Sequence, residues 1–441
     1  MGASATSSAA ATKPWPRAQR LLFRFACAYL LLYLLPTPIG WVPGTEVLSA
    51  LYHVPWEALV AWAGDAVLRL DQPVERVRTA SGDTLYHYVA TLCTFVLAVA
   101  IAAAWSIVDR RSRQHALAHH RLRVYVRYAL AFILIQYGLV KVFKTQFPFP
   151  EPDRLIQPCG ESSPMGLMWA FMGYSTPYNL FTGGIEIAAG ALLFFRRTTT
   201  LGALVSAAVM AHIVVLNLSY DVPVKLFSIH LFLISSFLLI PDARRLVDLF
   251  FLDRPVPASA PPPSSGGVSA SSFRQRERER TKLVVKLVVL GALVSAMVHA
   301  QLGRWLDHGD HAPKHSLYGL YEVTSFEEDG RARPPLLTDA GRWHLLAISR
   351  GGTSATVRKA DGTAARYRMR TPPAGARLVL VPEGGDGDRF ELSLSVGDGS
   401  LELAGTRGDT PVHIRLREHD LSEFLLLRRS FNWVQPEPFN R

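Results

Sequence analysis

Long apolar runs separated by short polar stretches fill the first two thirds of the chain. The last third changes to brief alternating runs. A bilayer core of about 30 Å takes about 20 apolar residues as a helix. Seven runs approach that length, at 21–40, 85–108, 124–143, 177–195, 198–218, 222–241 and 281–302. This pattern predicts a polytopic α-helical membrane bundle of about seven transmembrane helices. Beyond residue 304 the predicted strands are 342–349, 353–360, 363–370, 376–382, 388–396, 399–406, 410–417 and 423–429. Turns at Asp361-Gly362, Gly384-Gly385, Asp398-Gly399 and Arg407-Gly408-Asp409 separate several of them. Short, evenly spaced strands with such turns predict a C-terminal antiparallel all-β barrel. Leu378/Leu380, Leu392/Leu394 and Ile414/Leu416 are expected to face its interior. A closed eight-stranded barrel either holds one small ligand or fills itself with side chains.

Charge orients the helices. Arg110, Arg111, Arg113, Arg121 and Arg123 follow the second run, and Arg196 and Arg197 follow the fourth. Arg244, Arg245, Arg274, Arg276, Arg278, Arg280 and Lys282 follow the sixth. The alternate loops are mixed or acidic, with Glu46, Glu57, Asp65, Asp71, Glu75, Asp83, Glu151, Asp153 and Asp221. The positive-inside rule then predicts a cytoplasmic N-terminus and an extracytoplasmic barrel. The first run, behind Lys13, Arg17, Arg20 and Arg24, resembles a signal peptide. No small-x-small site follows Pro38-Ile39-Gly40-Trp41, so an uncleaved anchor is expected. Met1-Gly2 with Thr6 matches a myristoylation pattern, which chance alone readily supplies.

The expected division is a tail at 1–20, two spans with an outer loop at 21–121, a four-helix core at 122–250, a linker at 251–280, a seventh span at 281–303 and the barrel at 304–441. The Pro/Ser/Gly-rich stretch 254–272 builds no core. The Arg/Glu run after it reads as a solvated helix start meeting anionic lipid. In the outer loop, Val47, Leu48, Leu51, Trp56, Leu59, Val60, Trp62 and Val67 stand among charges and suit interfacial helices. Pro164–Gly173 reads as a short interfacial or re-entrant helix.

Composition narrows the class. Hydrophobic residues are 49%, charged residues 19% and the net charge is +11. A simple soluble enzyme, a disordered chain and a disulfide scaffold are excluded. The basic residues flank apolar runs, so nucleic acid is not the expected partner; membrane lipid is. Cys27, Cys93 and Cys159 form no CxxC, and no metal site is expected. Cys27 and Cys93 read as small buried hydrophobes. No phosphate loop, HExxH or GxSxG occurs.

Ionisable groups inside a membrane are costly, so each is a candidate site. Gly183, Glu186 and Gly190 share one helical face of small residues. Tyr137, Lys141 and Lys144 share another. His212, Asn217, Asp221, Lys225, His230 and His87 fall with them in the outer half of the predicted bundle. An outward-facing polar cavity is expected. Lys141, Glu186, His212 and His230 are its candidate catalytic groups, and Tyr137, Lys144, Asn217, Asp221, Lys225 and His87 its candidate ligand-binding groups. A structural role competes: a lysine neutralises Glu186, and the histidines bond between helices.

Tyr137-Gly138-Leu139-Val140-Lys141, then Gly183-Gly184-Ile185-Glu186-Ile187-Ala188-Ala189-Gly190, then a helix with Gly202, Ala203, Ser206 and Ala207, resemble the DoxX-like four-helix membrane family over about 122–245. The resemblance implies a bacterial-type inner-membrane protein with quinone- or thiol/sulfur-linked redox chemistry. Lys141 and Glu186 are the matching polar positions, and a quinone is the candidate cofactor or ligand. The three added helices and the β domain depart from that pattern. Gly341-Arg342-Trp343, with Arg428 and Arg429 near the end, resembles the lipocalin/calycin pattern. It implies Trp343 stacked under an arginine that closes the barrel. Two rival functions stay open: a non-catalytic lipid- or hydrophobic-ligand-handling protein that uses the barrel, and, by architecture alone, a vitamin-K-carboxylase-like membrane enzyme. The tail Phe431-Asn432-Trp433 to Pro438-Phe439-Asn440-Arg441 is expected to dock on the barrel or on the membrane surface.

Overall fold

The computed structural model describes residues 15–35, 46–77, 79, 81–110, 115–256, 273–371, 377–385, 387–429 and 431–440. Met1-Gly2, Thr6, Lys13, Pro38-Ile39-Gly40-Trp41, Arg111, Arg113, Arg441 and most of the 254–272 linker lie outside these residues. So do the side chains of Arg274, Arg276 and Arg278. The chain forms two compact units, Met1–Val142 with Leu180–His299, and Phe143–Asn179 with Ala300–Arg441.

The first unit is helical. Its elements are α1 (Arg17–Leu34), α2 (Glu46–Trp62), α3 (Leu85–Val108), α4 (Ala116–Val142), most of α6 (Thr176–Leu193), α7 (Thr199–Ser219), α8 (Lys225–Leu239), α9 (Ala243–Phe250) and the greater part of α10 (Phe273–His308); α5 (Pro164–Tyr174) belongs to the second unit. Among the described residues, five helical stretches are long and apolar enough to cross a membrane: Leu85–Val108, Ala116–Val142, Arg196–Ser219, Lys225–Phe250 and Arg280–His308. They fall on five of the seven expected runs. The other two give helices of 18 residues that fall short. Arg17, Arg20 and Arg24 charge α1, while α6 opens on Thr176-Pro177-Tyr178-Asn179 and carries Glu186 at mid-length.

Helix α4 is the most deeply covered of the five. Val126, Leu130, Ala131, Ile133 and Leu134 are fully buried, so it forms the centre of this unit. Helix α2 exposes Val47, Leu48, Leu51 and Trp62 and buries Val60, which packs with Ala63, Val74, Tyr86, Val89 and Cys93. Cys27 and Cys93 are buried among apolar side chains.

The second unit carries a closed antiparallel barrel of eight strands. These are β1 (Gly319–Glu328), β2 (Trp343–Ile348), β3 (Ser354–Lys359), β4 (Ala364–Arg370), β5 (Arg377–Pro382), β6 (Phe390–Gly397), β7 (Ser400–Arg407) and β8 (Thr410–His419). They pair in sequence order, a two-residue strand Arg331–Ala332 folds back to pair antiparallel with the end of β1, and β8 returns to β1 to close the sheet. Alternate side chains point inward, as the 2-residue period requires. Leu378, Leu380, Leu392, Ile414 and Leu416 are buried in the interior with Trp343, Phe326 and Phe390, and Leu394 packs partly against them. Gly408 takes a φ of +57° between β7 and β8, a left-handed position that suits glycine.

Three expectations are corrected. The first strand is Gly319–Glu328, so Trp343 opens the second strand. The run 423–429 is not a strand: Asp420 caps a tight turn by accepting from the Ser422 N–H at 2.8 Å, and Leu425–Arg428 forms one helical turn. Arg428 and Arg429 therefore end no strand, and neither stacks on Trp343. The Trp343 ring meets Phe390, centroids 4.8 Å apart. The arginines at that end are Arg342 and Arg333. Buried Arg342 donates from Nε to the Arg333 carbonyl and from Nη1 to the Trp343 carbonyl, each at 2.9 Å. Arg333 in turn pairs with Glu328 and Asp339.

Candidate functional site

Helices α4 and α6 meet through glycines. A Cβ on Gly183 would come within 2.5 Å of the Gly138 carbonyl oxygen, and one on Gly138 within 2.6 Å of the Gly183 carbonyl. A Cβ on Gly190 would come within 2.7 Å of the Ala131 carbonyl. The two backbones thus touch along the small-residue face, as small residues permit between membrane helices. Glu186 lies on that face and is 1% exposed. Lys141 reaches it from the last turn of α4, with Nζ 2.9 Å from Oε1 and 3.0 Å from Oε2. Tyr137, one turn earlier, offers its ring to Lys141 Nζ at 5.9 Å and packs on Phe227 of α8 at 5.5 Å. So three of the expected residues, Tyr137, Lys141 and Glu186, form one constellation.

The others fall into separate local groups. His230 Nδ1 lies 2.7 Å from the Leu226 carbonyl, and its Nε2 lies 2.6 Å from the Tyr29 hydroxyl. A carbonyl only accepts, so Nδ1 carries the proton and Nε2 accepts from Tyr29. The His230 ring also stacks on Tyr33 at 4.1 Å. Asn217 donates to the Ser228 hydroxyl at 3.0 Å. Asp221 sits at φ +50° in the turn and pairs with Lys225 at 2.7 Å. Asp83 accepts from the Lys225 and Leu226 N–H groups at 2.6 and 3.0 Å, which caps α8. His87 pairs with the Thr84 hydroxyl at 2.8 Å. His212 is exposed on α7. Lys144 belongs to the other unit, where it pairs with Asp310 at 2.6 Å.

Several buried or half-buried polar residues were not among the candidates. Tyr29 and Tyr33 are the partners of His230, and nothing in their spacing names a histidine two hundred residues away. Lys286 donates to the Phe194 carbonyl at 2.5 Å, where α6 has just ended, and lies over the rings of Tyr128 and Phe195. A cation at a helix C-terminus is favourable, which suits a lysine on an otherwise apolar helix. Buried Arg24 donates to the Ser106 hydroxyl at 2.9 Å and to the Asp109 carbonyl at 2.8 Å. Among the described residues no group of three His, Cys, Asp or Glu side chains is placed to hold a metal ion.

The fold and this geometry define a membrane-associated helical protein that carries a side-chain-filled antiparallel barrel. No family model matches the chain, and no solved structure matches it. The chain belongs to the same family as the uncharacterized protein YwoB of Bacillus subtilis (strain 168), with which it is 36% identical over 124 residues. That stretch is 28% of this chain and 79% of YwoB.

Proposed function

We propose that the chain is a multi-pass protein of DoxX-like character in a bacterial-type inner membrane. In this reading its N-terminus is cytoplasmic, all seven apolar runs span, and the barrel is periplasmic. Lys141 and Glu186 form the intramembrane site, which takes a small lipid-soluble carbonyl compound, a quinone in the first instance. One observation carries this: a doubly bonded Lys–Glu pair is buried where two helices touch. Replacing a buried ion pair by apolar residues is often neutral or stabilising, so packing alone does not call for one. The Lys141 ammonium can donate to a carbonyl oxygen, the Glu186 carboxylate can accept from the hydroxyl of the reduced form, and Tyr137 offers a ring face beside them. The rival in which the barrel carries a lipid loses its main support, because the interior is packed with side chains.

The test uses the full-length protein in nanodiscs and a short-chain quinone, with binding followed by tryptophan quenching. The double variant Lys141→Met/Glu186→Leu removes both charges and leaves neither unpaired. It should weaken binding at least about tenfold, which is about 1.4 kcal/mol. Equal binding by the wild type and the folded double variant would refute the site.

A further inference from the structure

Among the described residues, the barrel-bearing unit leaves large apolar side chains exposed on α5 and on its C-terminal segment. Helix α5 buries Met168 and Met172 and exposes Leu167, Phe171 and Tyr174. The exposed three stand at i, i+4 and i+7, so they share one face. The Tyr174 hydroxyl donates to the Arg429 carbonyl at 3.3 Å, which holds the C-terminal segment beside the end of that face. In that segment Phe431, Trp433 and Val434 are 75%, 91% and 83% exposed. Trp433 therefore does not dock on the barrel. Its ring meets Phe431 edge to face at 5.0 Å. Arg428 is exposed, and the Arg429 guanidinium lies 3.9 Å over the Phe439 ring; Glu423 before them and Glu437 after them are the nearest acids in sequence.

We propose that this surface seats in the headgroup layer of an anionic bilayer. The chain enters the unit directly from α4, leaves it into α6 and re-enters it from α10, so chain connectivity tethers it at three points to membrane-type helices. Trp and Tyr favour the interface because one edge of each ring is apolar and the other polar. Arg428 and Arg429 add cations that attract anionic headgroups. Exposed Leu, Phe and Tyr on α5, with Phe, Trp and arginine on the segment that Tyr174 holds, match that layer on both counts.

The experiment uses the full-length chain in nanodiscs of phosphatidylcholine with or without phosphatidylglycerol. The Trp433 signal is the difference in emission between the wild type and Trp433→Phe. Lipids brominated near the headgroup should quench that signal about twofold, and aqueous iodide should not. Arg428→Gln/Arg429→Gln should restore iodide quenching in the anionic discs. Quenching by iodide but not by brominated lipid overturns the proposal. Equal seating in neutral and anionic discs overturns its charge requirement. Shielding from both quenchers, in a particle whose mass shows two chains, assigns the surface to a second copy and also overturns it.

Discussion

Lysines three residues apart, Lys141 and Lys144, make two different kinds of buried ion pair. Lys141 is still helical, and it pairs with a carboxylate on a neighbouring helix at a crossing set by Gly138 and Gly183. Lys144 stands just past the helix at φ +52°, in the sparse left-handed region, and is 4% exposed. Its partner Asp310 also accepts from the Phe149 N–H at 2.8 Å, so that carboxylate holds both a charge and a backbone group. The first pair depends on helix periodicity and close packing. The second depends on a turn and on a residue far away in sequence. Glu186 is almost fully enclosed, whereas the Asp310 side chain keeps about a fifth of its exposure (21%).

This difference predicts a ranking. Glu186→Ala leaves an uncompensated buried ammonium and should cost about 3–5 kcal/mol, read as a lower midpoint of thermal or denaturant unfolding in micelles. The double variant Lys141→Met/Glu186→Leu should recover most of that loss. If the double variant is as unstable as the single one, the pair is not the source of the penalty. Asp310→Ala should cost less, about 2–3 kcal/mol, because its site is partly wet. Asp310→Asn keeps an acceptor for Phe149 and should recover part of it.

Backbone contact gives the next effect. Gly183→Ala places a Cβ against the Gly138 carbonyl and should destabilise by about 1–3 kcal/mol. Gly184→Ala is the control: its Cβ would meet nothing within 4 Å, and it should be neutral or stabilising by up to about 1 kcal/mol. Equal effects at both positions would show that the helices do not meet through Gly183.

The same contrast explains what the sequence revealed. The Lys141–Glu186 pair was legible because glycine, glutamate and glycine recur at helical spacing. The Lys144–Asp310 pair was not, since no period connects residues 166 positions apart (310 less 144). Seven of the eight barrel strands were legible from alternation. Strand β1 was not, because the register shifts between Val323 and Ser325. Tyr321 and Val323 face the interior before the bulge and Phe326 after it, so the 2-residue period changes phase in mid-strand. The run 423–429 misled for the opposite reason. A short apolar stretch reads alike as strand or helix, and the Asp420 cap settles it as turn and helix. The missed β1 also moved Trp343 to the second strand and removed the role expected of Arg428 and Arg429.

The smallest expected effect is a pH dependence within the barrel-bearing unit, where two carboxyls act in opposite senses. Burial pushes Glu151 above its ordinary 4.5, partly offset by the Arg350 N–H at 3.3 Å. A raised folded value favours the protonated form in the fold. Its contribution is therefore present below the unfolded value and lost as pH rises through the raised one. Glu161 is held low by its bonds from Arg358, at 2.9 and 3.2 Å. Its contribution is present above 4.5 and lost as pH falls through the lowered value. Glu151→Gln should therefore flatten the stability profile just above pH 4.5, and Glu161→Gln should flatten it just below. Unfolding midpoints of the full-length protein between about pH 3.5 and 6 separate the two. Because Arg358 and Glu161 meet at the surface, where screening is strong, the Glu161 change should be the weaker and should fade with added salt. A Glu161 effect that survives high salt would mean that its carboxylate is shielded from water by more than the arginine.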